Sequence, residues 1–65
     1  MENGLLSGRQ NEILALVAQG HANKIIARQL SLSEKTVKNQ LTAVFRKLNV
    51  ESRTQAALWT IREKK

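Results

Sequence analysis

From residue 9 onward this chain contains one glycine, Gly20, and no proline occurs anywhere in it. So little punctuation leaves almost nothing that would force the backbone out of helical geometry. There is neither a sustained apolar–polar alternation nor a paired-strand turn signal, so the fold class is all-α and the helix ends must be marked by caps. Ser7 followed by Gln10 matches a capping box, in which each side chain serves the other residue's amide. The first helix is expected over about residues 8–19, with Ile13, Leu14, Leu16 and Val17 as its buried stripe. Gly20 suits the left-handed residue that closes a helix.

The segment HANKIIARQL predicts a short second helix, about residues 23–30. Asn23 can start it, whereas Ala22 has no side-chain oxygen with which to cap. Ile25, Ile26 and Leu30 are its apolar anchors, and Ala27 leaves room for a neighbouring helix. After the three-residue turn SLS, Ser33 is a good cap for a third helix over about residues 34–48. Two helices joined this tightly cross steeply, which is helix-turn-helix geometry. Val37, Leu41, Val44 and Leu48 recur at intervals of four, three and four and form one stripe facing the core. A turn containing Asn49, suited to a left-handed conformation, leads to Ser52 and Gln55, which read as a second capping box for a helix over about residues 53–62. Of that last helix, Ala57, Leu58 and Ile61 share a face expected to pack on the domain, while Ala56 and Trp59 project elsewhere.

At 65 residues this is one domain, residues 1–65, too small for a deep catalytic pocket. No cysteine is present, so disulfides and thiolate metal sites are excluded. His21 is the single histidine; it reads as a solvated turn residue, without the companions that a metal or a general base requires. No phosphate-cradling glycine loop occurs. We therefore expect no enzyme, no cofactor, no metal and no small-molecule ligand. Apolar runs fall well short of the roughly 20 residues needed to span a bilayer, and the N-terminus lacks the build of a secretion signal, so a cytoplasmic protein without a membrane partner is expected.

Charge narrows the partner. Eleven lysines and arginines face five acidic residues, a net +6, and between Lys24 and Arg53 only Glu34 and Glu51 interrupt the basic residues. Nucleic acid, an anionic membrane or an acidic protein could answer such a field. The basic end at residues 62–65 reads as a frayed, solvated terminus without a role. The third helix decides more. Opposite its core stripe lie Lys35, Asn39, Thr42 and Arg46, with Lys38 on one shoulder and Gln40 and Lys47 on the other. An ordinary solvated face would mix signs; this one hardly does. The major groove admits an α-helix, and there Lys can donate to guanine, Asn can pair with adenine and a Thr methyl can touch thymine. With two aromatic residues in all, Phe45 and Trp59, the chain lacks the stacking platforms of a single-strand binder.

In order and without gaps, Leu6, Arg9, Glu12, Leu14, Gly20, Asn23, Lys24, Ile26, Ala27, Leu30, Ser33, Thr36, Val37, Lys38, Lys47, Leu48, Arg53 and Ala56 carry a family resemblance. The run from Leu6 to Ala57 resembles the DNA-binding domain of LuxR-type (GerE-like) transcription regulators, a four-helix helix-turn-helix domain whose third helix is the recognition helix. The resemblance implies base reading by Lys38, Asn39 and Thr42. It implies backbone contacts near Asn23, Lys24, Ser33, Lys35, Thr36, Arg46 and Lys47. It also implies dimerisation on DNA through the last helix, for which Ala56 and Trp59 are the candidates; for Trp59 the competing reading is a residue that completes a small core. The implied partners are double-stranded DNA, a second copy of the chain bound with it to an inverted repeat, and RNA polymerase. Three positions depart from the family's common pattern: Gln40 replaces histidine, Gln10 glutamate, and Ala22 a capping serine or threonine. The last should weaken the second helix's cap by roughly 1 kcal/mol. A sigma-factor region-four-like module has a similar helix-turn-helix, but NKIIA after Gly20 and Arg53 at the start of a fourth helix favour LuxR-type. A small helical protein-interaction adaptor is the rival from another class.

Overall fold

The computed structural model describes residues 5–63, which form four helices: α1, Gly8–Ala18; α2, Asn23–Leu30; α3, Glu34–Leu48; and α4, Arg53–Glu63. The bounds lie within one residue of those expected. Lys64 and Lys65 of the basic end fall outside the described residues, as does the start of the chain, residues 1–4.

Side-chain caps account for three of the four helix starts. At α1 the capping box is complete: Ser7 Oγ accepts from the Gln10 amide at 3.1 Å and Gln10 Oε1 from the Ser7 amide at 3.1 Å. α2 begins from Ala22 without a side-chain cap, and Asn23 is its first helical residue. Ser33 caps α3 by accepting from the Thr36 amide at 3.0 Å. The second capping box is only half formed. Ser52 Oγ accepts from the Gln55 amide at 3.1 Å, but Gln55 Oε1 reaches one residue further back, to the Glu51 amide at 2.7 Å.

The first three helices stop in the same way. Gly20 (φ +92°), Ser31 (φ 58°) and Asn49 (φ 58°) are left-handed. In each case the next residue's amide returns to a carbonyl five residues back: His21 to Leu16 at 3.1 Å, Leu32 to Ala27 at 2.8 Å, and Val50 to Phe45 at 3.0 Å. This is the Schellman closure, in which a reversed residue lets trailing amides satisfy orphan carbonyls. Leu32 and Val50 then pack against the core, so two of these closures are also apolar staples.

α1 and α3 each pack against every other helix, whereas α2 and α4 do not pack on one another. One apolar cluster joins α1, α2 and α3 through Ile13, Val17, Ile26, Ala27, Val37 and Leu41. A second joins Leu6, Leu14, Val44, Leu48 and Ala56, with Trp59 and Val50 packed against it. Phe45 touches both clusters. Ile13, Ile26, Val37 and Val44 are fully buried, each worth about 1.5–3 kcal/mol of transfer free energy.

The rotation of α4 reverses the expected one. Ala56 is 0% exposed and Trp59 is half-buried against the second cluster, while Leu58 and Ile61 are 47% and 62% exposed. Ala56 therefore lies in the domain's own core and is not available to a second copy. The physical reason is side-chain size: a methyl lets the backbones of α4 and its neighbours approach closely, so the small residue, not the large ones, marks the packed face.

Candidate nucleic-acid interface

The α2–turn–α3 unit places one face of α3 in solvent. Val37, Leu41, Val44 and Leu48 are all buried, and the stripe they form turns Lys35, Lys38, Asn39, Thr42 and Arg46 outward, each of them exposed. Glu34 sits in the first turn of α3 and Arg46 and Lys47 in the last, each sign where the helix dipole favours it. The ion pair found among the described residues, Arg9 with Glu12 at 3.4 Å, lies on α1. Among the described residues, the cations of α3 thus have no carboxylate partner.

Contacts within the face define what each side chain can offer. Thr42 Oγ1 donates to the Lys38 carbonyl at 3.1 Å. That bond occupies the hydroxyl proton and leaves the methyl as the group's distinctive feature. Ser33 Oγ donates to Thr36 Oγ1 at 2.8 Å while capping the Thr36 amide, so Thr36 keeps its own hydroxyl proton. Lys24 is exposed in the first turn of α2.

On the two flanks of α3 lie polar contacts that the sequence alone does not assign. On one side Arg53, the first residue of α4, donates to Asn23 Oδ1 and to the His21 carbonyl, both at 2.6 Å. The Asn23 oxygen is thereby committed, and its amide nitrogen is the half left to donate elsewhere. Asn23, Arg53, Lys38, Leu41, Thr42 and Phe45 line a shallow cleft along this flank. On the other side Gln10 Nε2 donates to Gln40 Oε1 at 3.0 Å, and Lys47 Nζ donates to Gln10 Oε1 at 3.0 Å. Gln40 and Lys47 are one heptad apart and so share this flank of α3. Sequence register places the two on a common flank; nothing in it points to Gln10 as their partner.

Among the described residues no group of histidines and carboxylates could hold a metal, and no helix is long and apolar enough to cross a membrane.

This arrangement of helices has close counterparts. The solved structure of the transcription factor GerE superposes with a TM-score of 0.85 at 40% identity, covering 95% of this chain and 92% of that one. The family model of the bacterial regulatory proteins of the luxR family matches residues 4–60. The chain belongs to the luxR family. It is a helix-turn-helix DNA-binding domain of the kind found in transcription regulators. Among curated relatives of this luxR-family domain, the nitrate/nitrite response regulator protein NarL of Escherichia coli K12 is 42% identical over 59 residues, 91% of this chain and 27% of NarL. The CsgBAC operon transcriptional regulatory protein of the same strain is 47% identical over 58 residues, 89% of this chain and 27% of that protein. The luxR-family domain thus spans about a quarter of the length of these relatives.

Proposed function

We propose that the domain binds duplex DNA sequence-specifically with α3 in the major groove, two copies occupying an inverted repeat. The observation that carries this reading is the exposed row Lys35, Lys38, Asn39, Thr42 and Arg46 on a helix whose cations have no carboxylate partner among the described residues. Lys38, Asn39 and Thr42 lie toward the start of the helix and read base edges: Lys38 a guanine, Asn39 an adenine through its bidentate amide, Thr42 a thymine methyl. Asn23, Lys24, Ser33, Lys35, Thr36, Arg46 and Lys47 grip the backbone on either side and set the register. Within that set Asn23 acts through its amide nitrogen and Thr36 through its hydroxyl proton; Ser33 acts by holding Thr36.

Dimerisation falls to α4, through the exposed Leu58 and Ile61 in place of Ala56 and Trp59, both of which pack into the domain's own second cluster. A self-complementary pair of helices presenting these two side chains would set two recognition helices about 34–36 Å apart, one turn of duplex. The domain works by occupying a site, not by catalysis; a cytoplasmic location and proximity to RNA polymerase go with that role.

Selection of bound sequences from a random duplex pool at near-physiological salt tests the whole reading. Enrichment of an inverted repeat with half-sites one turn apart is expected. A folded protein that enriches no sequence would refute it.

A further inference from the structure

Gln10 is 7% exposed, the one buried polar side chain among the described residues. Its amide meets three groups at once. The Ser7 amide and the Lys47 ammonium both donate to Oε1, at 3.1 and 3.0 Å, and Nε2 donates to Gln40 Oε1 at 3.0 Å. Chemistry fixes this orientation. The Ser7 N–H and the ammonium can only donate, so the oxygen must face them, the nitrogen must face Gln40, and Gln40 must turn its own oxygen inward.

The cap alone does not explain why residue 10 is an amide. A carboxylate would accept from Ser7 equally well, since glutamate and glutamine serve alike at this position of a capping box. A carboxylate would also pair with the Lys47 ammonium and fasten α1 to α3 more firmly. What the amide preserves is charge. It holds the lysine by a neutral oxygen, occupies one of three N–H donors, and leaves the full positive charge with two donors still free.

We propose that Gln10 is a positioning residue for DNA: it fixes the Lys47 ammonium beside the recognition helix without neutralising it, so that Lys47 meets a backbone phosphate as an uncompensated cation. The inference rests on the DNA-binding reading and on the backbone contact assigned there to Lys47. Gln40 completes the device by tying the same amide to the middle of α3, next to Asn39, so that the phosphate contact and the base-reading residues share one register.

The test is the salt dependence of duplex affinity for the whole chain, since every phosphate that is no longer neutralised lowers the slope of log K against log salt by about 0.9 per subunit bound. Gln10→Glu keeps the size and the Ser7 bond, and Gln40 can turn its amide to donate to the new carboxylate. We expect unchanged helicity, a melting temperature at or above the parent's, weaker binding to preferred and random duplexes alike, and a slope shallower by up to about 0.9 per subunit. Lys47→Gln should flatten the slope similarly, and adding Gln10→Glu to it should change the slope no further. If Gln10→Glu keeps the parental slope while Lys47→Gln flattens it, Gln10 is only a helix cap and the proposal falls. If Lys47→Gln keeps a steep parental slope, Lys47 touches no phosphate and the proposal falls with that contact. A parent with no salt-dependent duplex binding would instead defeat the DNA-binding reading itself.

Discussion

Thr42 shows how a local bond narrows what a side chain can recognise. With its hydroxyl proton given to the Lys38 carbonyl at 3.1 Å, the residue presents a methyl, and only thymine among the bases displays a methyl in the major groove. Thr42→Val should therefore bind the preferred site nearly as well as the parent. Thr42→Ser should lose about 0.8 kcal/mol, the worth of one buried methyl-sized group, and should become indifferent to exchange of the contacted thymine for uracil. Titrations of the two variants on both duplexes would decide it, and a loss for valine with little or none for serine would argue for a hydroxyl contact instead. Asn39 is exposed, so Asn39→Ala should leave the melting temperature in place while costing the preferred site about 1–3 kcal/mol more than random DNA. Arg46→Ala, at a proposed phosphate contact, should weaken both alike, and competition binding at fixed salt separates the two outcomes. These exposed residues are readable from the sequence because helical rotation alone exposes them. Gln10 reads there as half of a cap and as a departure from the family's usual glutamate, but its partners are not legible, since they lie 30 and 37 residues away.

At the scale of the element, the helix ends show which sequence signals suffice and which do not. Gly20 and Asn49 are residues that reverse the backbone cheaply, and both are legible as stops. Ser31 is not, because serine carries no strong left-handed preference; it sits at φ 58° because Leu32 must return to the core behind it. Relieving that strain should help: Ser31→Gly is expected to raise stability by a few tenths to about 1 kcal/mol in urea unfolding, the left-handed cost minus the added freedom of the unfolded chain. Gly20→Ala should lose about 1 kcal/mol even though an added Cβ would meet nothing within 4 Å, since φ +92° strains any side chain. The rotation of α4 is illegible for another reason. Apolar residues lie on two of its faces, and periodicity cannot choose between Ala56 with Trp59 and Leu58 with Ile61; the depth to which α1 and α3 admit a backbone makes the choice. Likewise the Arg53 bonds to Asn23 and His21 join two helices that do not otherwise pack together, a pairing no local pattern announces.

For the molecule as a whole, burial divides α4 into a half that holds the fold and a half that leaves Leu58 and Ile61 in solvent. Ala56→Leu overfills a site that is 0% exposed and should cost about 1–3 kcal/mol of stability. Leu58→Lys with Ile61→Lys should leave thermal unfolding of the monomer nearly unchanged while abolishing cooperative occupation of paired half-sites. Gel-shift titrations on one and two half-sites would show this, and surviving cooperativity would remove α4 from the dimer. The three helix-ending closures have a last consequence, for how fast the structure forms. Each turn is completed by bonds between residues three to five apart, and the chain contains neither a proline to isomerise nor a cysteine to pair. Reversing direction therefore costs little loop entropy at any corner, and a chain of this kind should collapse to its native state within about a microsecond to a few milliseconds.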